Sequence, residues 1–234
     1  MPGYPIELDL RGRLAVVVGL GPVGLRKAAG LVAAGARVLG VDPRGPGAVE
    51  VEGVEVVAEG YRVEHLAGAS LVFAAATPAV NASVVGDARR LGIWANSASD
   101  PASGDFTVPA TWRDGPVLVT VSTSGASPAL AASLRDRAAA ALGSAASGLA
   151  ALLLELRPEV LAAVADPEAR RLALASAADP RWLELYAAEG AEAARAALRA
   201  MLGLAPRGGG DEPARALPGP DTPGISLPPG PMLH

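Results

Sequence analysis

Apolar positions divide this chain into two regimes. Up to about residue 110, short β-prone runs alternate with segments of helical character; beyond Pro128, leucine and alanine recur at helical spacing. The first regime predicts strands at 14–19, 36–42, 54–58 and 71–76, a short lead-in strand over Tyr4 to Leu10, and another beginning at Ile93 to Ala95. Helices are predicted at 22–34, ending at Gly35, and at 81–91, with Arg89 and Arg90 in the last turn and Gly92 as the stop. This alternation calls for a mainly parallel sheet covered by helices. Phe106–Pro109 and Val117–Ser122 then read as two short strands around Asp114-Gly115-Pro116. From Pro128 to about Leu204 helix dominates, with breaks expected at Gly143, Pro158, Pro167 and Pro180, each proline suiting a first helical turn. The stretch from Ala205 to His234 is rich in Gly and Pro, lacks periodicity and reads as a disordered tail.

The densest chemical signal is in residues 14–42. The first strand runs into Gly19-Leu20-Gly21-Pro22-Val23-Gly24, a helix follows, and the next strand ends on Asp42. Gly19 suits the tight turn, Gly21 lets the backbone approach a pyrophosphate, and Gly24 lets helix and strand pack closely. The helix start, with Pro22 at its first position and Val23 after it, offers the free N–H groups of its first turn and a positive dipole end to phosphate. Asp42, 18 residues after Gly24, is placed to accept from a ribose 2'-hydroxyl and to repel a 2'-phosphate. The expected cofactor is therefore NAD.

Composition narrows the rest. The net charge is −4 with no basic block, which argues against nucleic acid as a partner. Cysteine is absent and histidine occurs twice, so disulfides, thiolate sites and a histidine-rich metal site are excluded, and no metal ligands are assigned. The opening residues lack the apolar core of a signal peptide, and no apolar run of membrane-spanning length is free of Gly, Pro or charge. A cytoplasmic protein with no membrane partner is expected. His65 reads as a surface residue on a short helical turn. Leu149, Leu152, Leu153, Leu156 and Leu161 form a stripe that faces a core or a partner.

Several segments together resemble the precorrin-2 dehydrogenase/sirohydrochlorin ferrochelatase family of siroheme synthesis. They are Tyr4-Pro5-Ile6 with Leu8-Asp9-Leu10 and Gly12-Arg13; the glycine turn followed by Arg26-Lys27; Ala75-Ala76-Thr77 with Asn81; Asn96; Phe106 with Pro109-Ala110; and the run Val121 to Ala131. The resemblance covers residues 4 to about 137 in order. It implies a Rossmann-type α/β fold with a parallel sheet, a β-arm dimerisation region and a C-terminal helical region. The corresponding divisions are 1–110 for NAD binding, 111–144 for the arm and substrate, 145–204 for the helices and 205–234 for the tail. It also implies oxidation of the tetrapyrrole precorrin-2 to sirohydrochlorin with NAD as hydride acceptor. Bifunctional members then insert ferrous iron as a co-substrate, and the working unit is a homodimer.

Carried over by residue, the resemblance adds Thr77 and Asn81 to the cofactor contacts. It assigns Asn96, Ser122, Thr123, Ser124 and Ser127 to the tetrapyrrole. Ser127 also reads as a helix N-cap before Pro128. The family's acid/base aspartate follows the residue matching Asn96 as Asn-x-x-Asp. This chain has Asn96-Ser97-Ala98-Ser99-Asp100, so Ser99 takes that position and the acid comes one place later. Asp100 is the favoured catalytic residue and Ser99 the alternative. The loop between Thr77 and Asn81 is two residues shorter than in the family. The displaced acid also motivates a rival reading, a non-catalytic NAD- or tetrapyrrole-binding protein of the same fold.

Overall fold

The computed structural model describes residues 3–45 and 52–205. The tail expected over 205–234 lies outside these residues except for Ala205. Contacts divide the chain into two compact units, one ending at Val108 and the other beginning at Pro109.

The first unit is built on β1 (Leu14–Val18), β2 (Arg37–Val41), β3 (Val54–Val57), β4 (Ala69–Ala74) and β5 (Trp94–Ser97). All four pairings are parallel and the spatial order is β3-β2-β1-β4-β5. Two helices, α1 (Pro22–Ala33) and α2 (Pro78–Leu91), make the crossovers β1–α1–β2 and β4–α2–β5. Alternation along β1 sends Val16 and Val18 into one core layer with Val84, Val85 and Ala88 of α2. Ala15 and Val17 enter the other layer with Ala28 and Leu31 of α1. Both faces are thus covered, which is why β1 reads as a continuous apolar run.

The lead-in strand predicted for Tyr4 to Leu10 does not form; that segment has no ladder partner, with Tyr4 90% exposed and Ile6 57%. The short helical turn around His65 forms over Val63–Leu66, but His65 is not a surface residue. Its ring is tucked beside Tyr61, accepts from the Arg62 N–H at 3.1 Å and meets Glu59 at 2.9 Å.

The second unit opens with an antiparallel hairpin, β6 (Ala110–Asp114) and β7 (Val117–Val121), turning at Gly115-Pro116. The first arm strand thus begins after Pro109, not at Phe106. The hairpin packs on α3 (Pro128–Ala163), and α4 (Pro167–Ser176) and α5 (Pro180–Met201) complete the unit. Leu149, Leu152, Leu156 and Val160 of α3 form a core with Trp182, Ala194 and Leu198 of α5; Leu153 is partly buried there, and Leu161 is 41% exposed. Gly148 sits where Tyr186 crosses, and a Cβ there would lie 2.2 Å from the phenolic oxygen. Glu159 pairs with the buried Arg199, whose guanidinium also donates to the Ala205 carbonyl.

Breaks at Asp166-Pro167 and Asp179-Pro180 occur as expected, each Asp side chain capping the helix that follows. Gly143 leaves helical geometry inside α3 (φ 63°, ψ 178°). Pro158, by contrast, does not break α3. The carbonyl its ring deprives of a partner belongs to Leu154, which is 60% exposed, so water can satisfy it. By length and composition α3 could also cross a bilayer, although its Leu149–Val160 face is packed against α5.

Candidate functional site

In a sheet of this order the chain reverses direction between β1 and β4, and ligands bind at the carboxyl ends of the strands flanking that point. Four segments of the first unit converge on this edge: the glycine turn after β1, Asp42 after β2, Ala75–Thr77 after β4 and Ser97–Asp100 from the end of β5 onward.

The glycine turn has no room for side chains on its protein side. A Cβ on Gly24 would lie 1.8 Å from the Gly19 carbonyl oxygen, and one on Gly19 (φ +92°) would lie 2.6 Å from the Ala75 carbonyl oxygen. At Gly21, which caps α1, a Cβ would meet nothing within 4 Å. That open side, at a helix start with no side-chain cap and with Pro22 at the first position, is a cradle for an anionic group. Val23 is partly exposed beside it. These residues therefore fit a dinucleotide pyrophosphate. Lys27, one turn further on, is half-buried over the Phe73 ring, 5.5 Å from its centroid, and desolvation lowers its pKa.

Asp42 is 3% exposed. Its Oδ2 accepts from the Leu20 N–H at 2.8 Å, bracing the glycine turn from the neighbouring strand. Arg44, which sequence reasoning passed over, adds three more donors: its backbone N–H at 2.9 Å, Nε at 3.0 Å and Nη2 at 2.9 Å. The Arg44 hydrogen bonds hold the Asp42 carboxyl well below the usual carboxylate range, outweighing the cost of its burial. The only signal in the sequence was a cation two places after Asp42.

Across the edge, Asn81 is 1% exposed and fully engaged. Its Oδ1 accepts from the Ala76 N–H at 2.8 Å, while Nδ2 donates to the Ala76 carbonyl at 3.3 Å and to Ser99 Oγ at 2.9 Å. Thr77 caps α2 through its backbone carbonyl, which accepts from the Asn81 N–H, and makes no side-chain cap. Asn81 thus ties the β4 loop to the β5 loop. Ser97, buried and also not anticipated, lies 3.4 Å from Ser99 and accepts from the Asp100 N–H at 3.2 Å. Ser99 therefore faces the Asn81 cluster, whereas Asp100 caps the short helical turn Pro101–Ser103, its Oδ1 accepting from the Ala102 N–H at 3.2 Å. Asn96 donates to the Phe106 carbonyl at 2.8 Å, and Asp105 accepts from the Ala95 N–H at 2.9 Å; both fasten the outgoing chain to β5.

Ser122, Thr123, Ser124 and Ser127 belong to the second unit. Ser127 Oγ accepts from the Leu130 N–H as the N-cap of α3. Thr123 Oγ1 accepts from the Ser127 N–H and donates to its carbonyl, and Ser122 Oγ accepts from the Ser124 N–H. Ser124 itself takes a positive φ of 52°. Three of the four hydroxyls thus build a tight turn.

A parallel sheet of this order with a glycine cradle at its reversal point defines a dinucleotide-binding α/β protein. Residues 6–110 match a family model described as "Putative NAD(P)-binding". The chain is 38% identical over 180 residues to the siroheme synthase of Methylococcus capsulatus, a match covering 73% of this chain and 37% of that protein. With the siroheme synthase of Pseudomonas putida strain F1 it shares 34% identity over 231 residues, covering 96% of this chain and 50% of that protein. Among solved structures, SirC, a precorrin-2 dehydrogenase, superposes with a TM-score of 0.66 at 21% identity, covering 85% of this chain and all of that one. The chain is thus similar to siroheme synthases along most of its length and shares the fold of SirC. It spans half or less of the length of these siroheme synthases.

Proposed function

We propose that this chain oxidises precorrin-2 to sirohydrochlorin with NAD as the hydride acceptor, as a cytoplasmic enzyme of siroheme synthesis. The observation that carries the reading is the convergence of the glycine cradle, Asp42, Thr77–Asn81 and Ser97–Asp100 on one sheet edge, in a chain whose sequence relatives are siroheme synthases.

Bound NAD would supply the hydride acceptor. The chain's own part is to hold it and to take up the proton. Gly19, Gly21, Pro22, Val23 and Gly24 supply the pyrophosphate cradle, and Asp42 addresses the adenosine ribose. Thr77 and Asn81 border the nicotinamide end of the edge. Asp100 accepts the proton lost by the macrocycle: its carboxylate is exposed, and Oδ1 is held in place by the Ala102 N–H. Ser99, on Asn81, positions that loop. Asn96 and the 122–127 turn serve the carboxylate-rich tetrapyrrole. The active unit is a homodimer, supported by Leu130 and Leu134, exposed one helical turn apart at the start of α3.

The test mixes purified protein, precorrin-2 and NAD and follows NADH absorbance together with sirohydrochlorin. Equal amounts of the two products are expected. NAD binding with no NADH above the protein-free control would overturn the dehydrogenase reading in favour of a non-catalytic binding protein. Ferrous iron added to sirohydrochlorin, with and without protein, tests insertion separately; a rate above the protein-free control is the expected result for a bifunctional member.

A further inference from the structure

The acid that follows β2 has no acceptor left to offer. A carboxylate presents about four lone-pair sites, and Asp42 already receives four N–H donors: one from Leu20 and three from Arg44. The selectivity expected of an acid here depends on two properties, a free oxygen for the ribose 2'-hydroxyl and a net negative charge against a 2'-phosphate. The Arg44 guanidinium removes both.

The two partners differ sharply in burial. The Asp42 side chain is 5% exposed and that of Arg44 is 75% exposed. Asp42 is fixed by Leu20 from the glycine turn, whereas Arg44 is free to leave toward solvent at the cost of an ion pair with one exposed member. It sits three residues beyond the end of β2, beside the position where the fold places the adenosine ribose. A guanidinium is suited to paired hydrogen bonds with a phosphate.

We propose that Arg44 reads the ribose 2' position: folded onto Asp42 it cancels the charge that would exclude a 2'-phosphate, and swung outward it binds that phosphate, so the site accepts NADP as well as NAD. The inference rests on the dinucleotide reading above and deepens it. For NAD, Arg44 moves aside and Asp42 takes the 2'-hydroxyl. For NADP, the guanidinium itself is the contact. Discrimination between the two is therefore weak in the native chain and is restored by removing Arg44.

The experiment titrates the full chain with NAD and NADP, and in parallel with ADP-ribose and its 2'-phosphate, which isolate the adenosine half. The variants are Arg44→Gln and Arg44→Lys. The native chain is expected to bind both dinucleotides within about tenfold of each other. Arg44→Gln should lower the NADP-to-NAD affinity ratio by about tenfold or more, the usual scale for a lost charged hydrogen bond. Arg44→Lys should keep part of it. An unchanged ratio in Arg44→Gln, or NAD binding with no measurable NADP binding in the native chain, would overturn the role of Arg44 alone. Failure of the native chain to bind either dinucleotide would overturn the dinucleotide reading with it.

Discussion

Asp42 couples the glycine turn to the stability of the sheet. Its carboxylate is the acceptor for the Leu20 N–H, so Asp42→Asn should destabilise the first unit by about 2 kcal/mol at neutral pH, the scale of charged hydrogen bonds. The folded-state pKa is lowered, so the stabilisation is complete above the unfolded value of about 3.9 and is lost as pH falls through the folded one. Denaturant melts of both proteins should differ most near pH 7 and converge in strong acid; a constant difference across that range would refute the assignment. Asp100 and Ser99 separate by kinetics. Asp100→Ala should lower kcat by about a hundredfold or more if Asp100 takes the proton, with NAD affinity retained. Ser99→Ala should alter affinity more than rate, since its hydroxyl is bound to Asn81. The sequence made the glycines and Asp42 legible because their spacing is local. Arg44 was not, because an arginine just past a strand reads as a solvated loop residue until its bonds to Asp42 are seen. Nor was Ser97, whose burial follows from pairing β5 with β4.

At the level of elements, Ser147 shows how one backbone break reaches a side chain. A serine inside a helix can donate to the carbonyl four residues back, which here belongs to Gly143, the residue that leaves helical geometry. Ser147 Oγ is buried with no partner among the described residues. Ser147→Ala should therefore stabilise the second unit by about 1 kcal/mol in thermal or denaturant melts. Gly148→Val should destabilise it by about 1–3 kcal/mol, because the new side chain collides with Tyr186 across the α3–α5 contact. These helices were legible at their starts, where Ser127, Asp166 and Asp179 each precede a proline. They were less so inside, where the exposure that lets α3 tolerate Pro158 is a tertiary property. The Tyr4 to Leu10 segment misled for a related reason: a strand-like string of residues forms no strand without a neighbour to pair with.

For the whole molecule, the assigned residues are spread over both units. The residues proposed for the cofactor lie in the first and the serine-rich turn in the second, a division that shows in the sequence only as the change of pattern near residue 110. Sedimentation equilibrium should give twice the chain mass, and Leu130→Glu with Leu134→Glu should return it to the monomer while leaving far-ultraviolet dichroism intact. A native chain sedimenting as a monomer at micromolar concentration would remove the dimer from the proposal.

The first unit also has two unlike ends. Leu8, Leu10 and Arg13 share a cleft of about 360 Å³ with Ala69, Gly92 and Trp94, at the amino ends of β1, β4 and β5. The entering chain is therefore anchored at the sheet edge opposite the glycine cradle. A surface on which the protein is captured through its first residues would present the cradle outward, to the flowing solution. Dinucleotide affinities measured on such a sensor should equal those in free solution, whereas attachment through Pro43, beside Asp42, should weaken them.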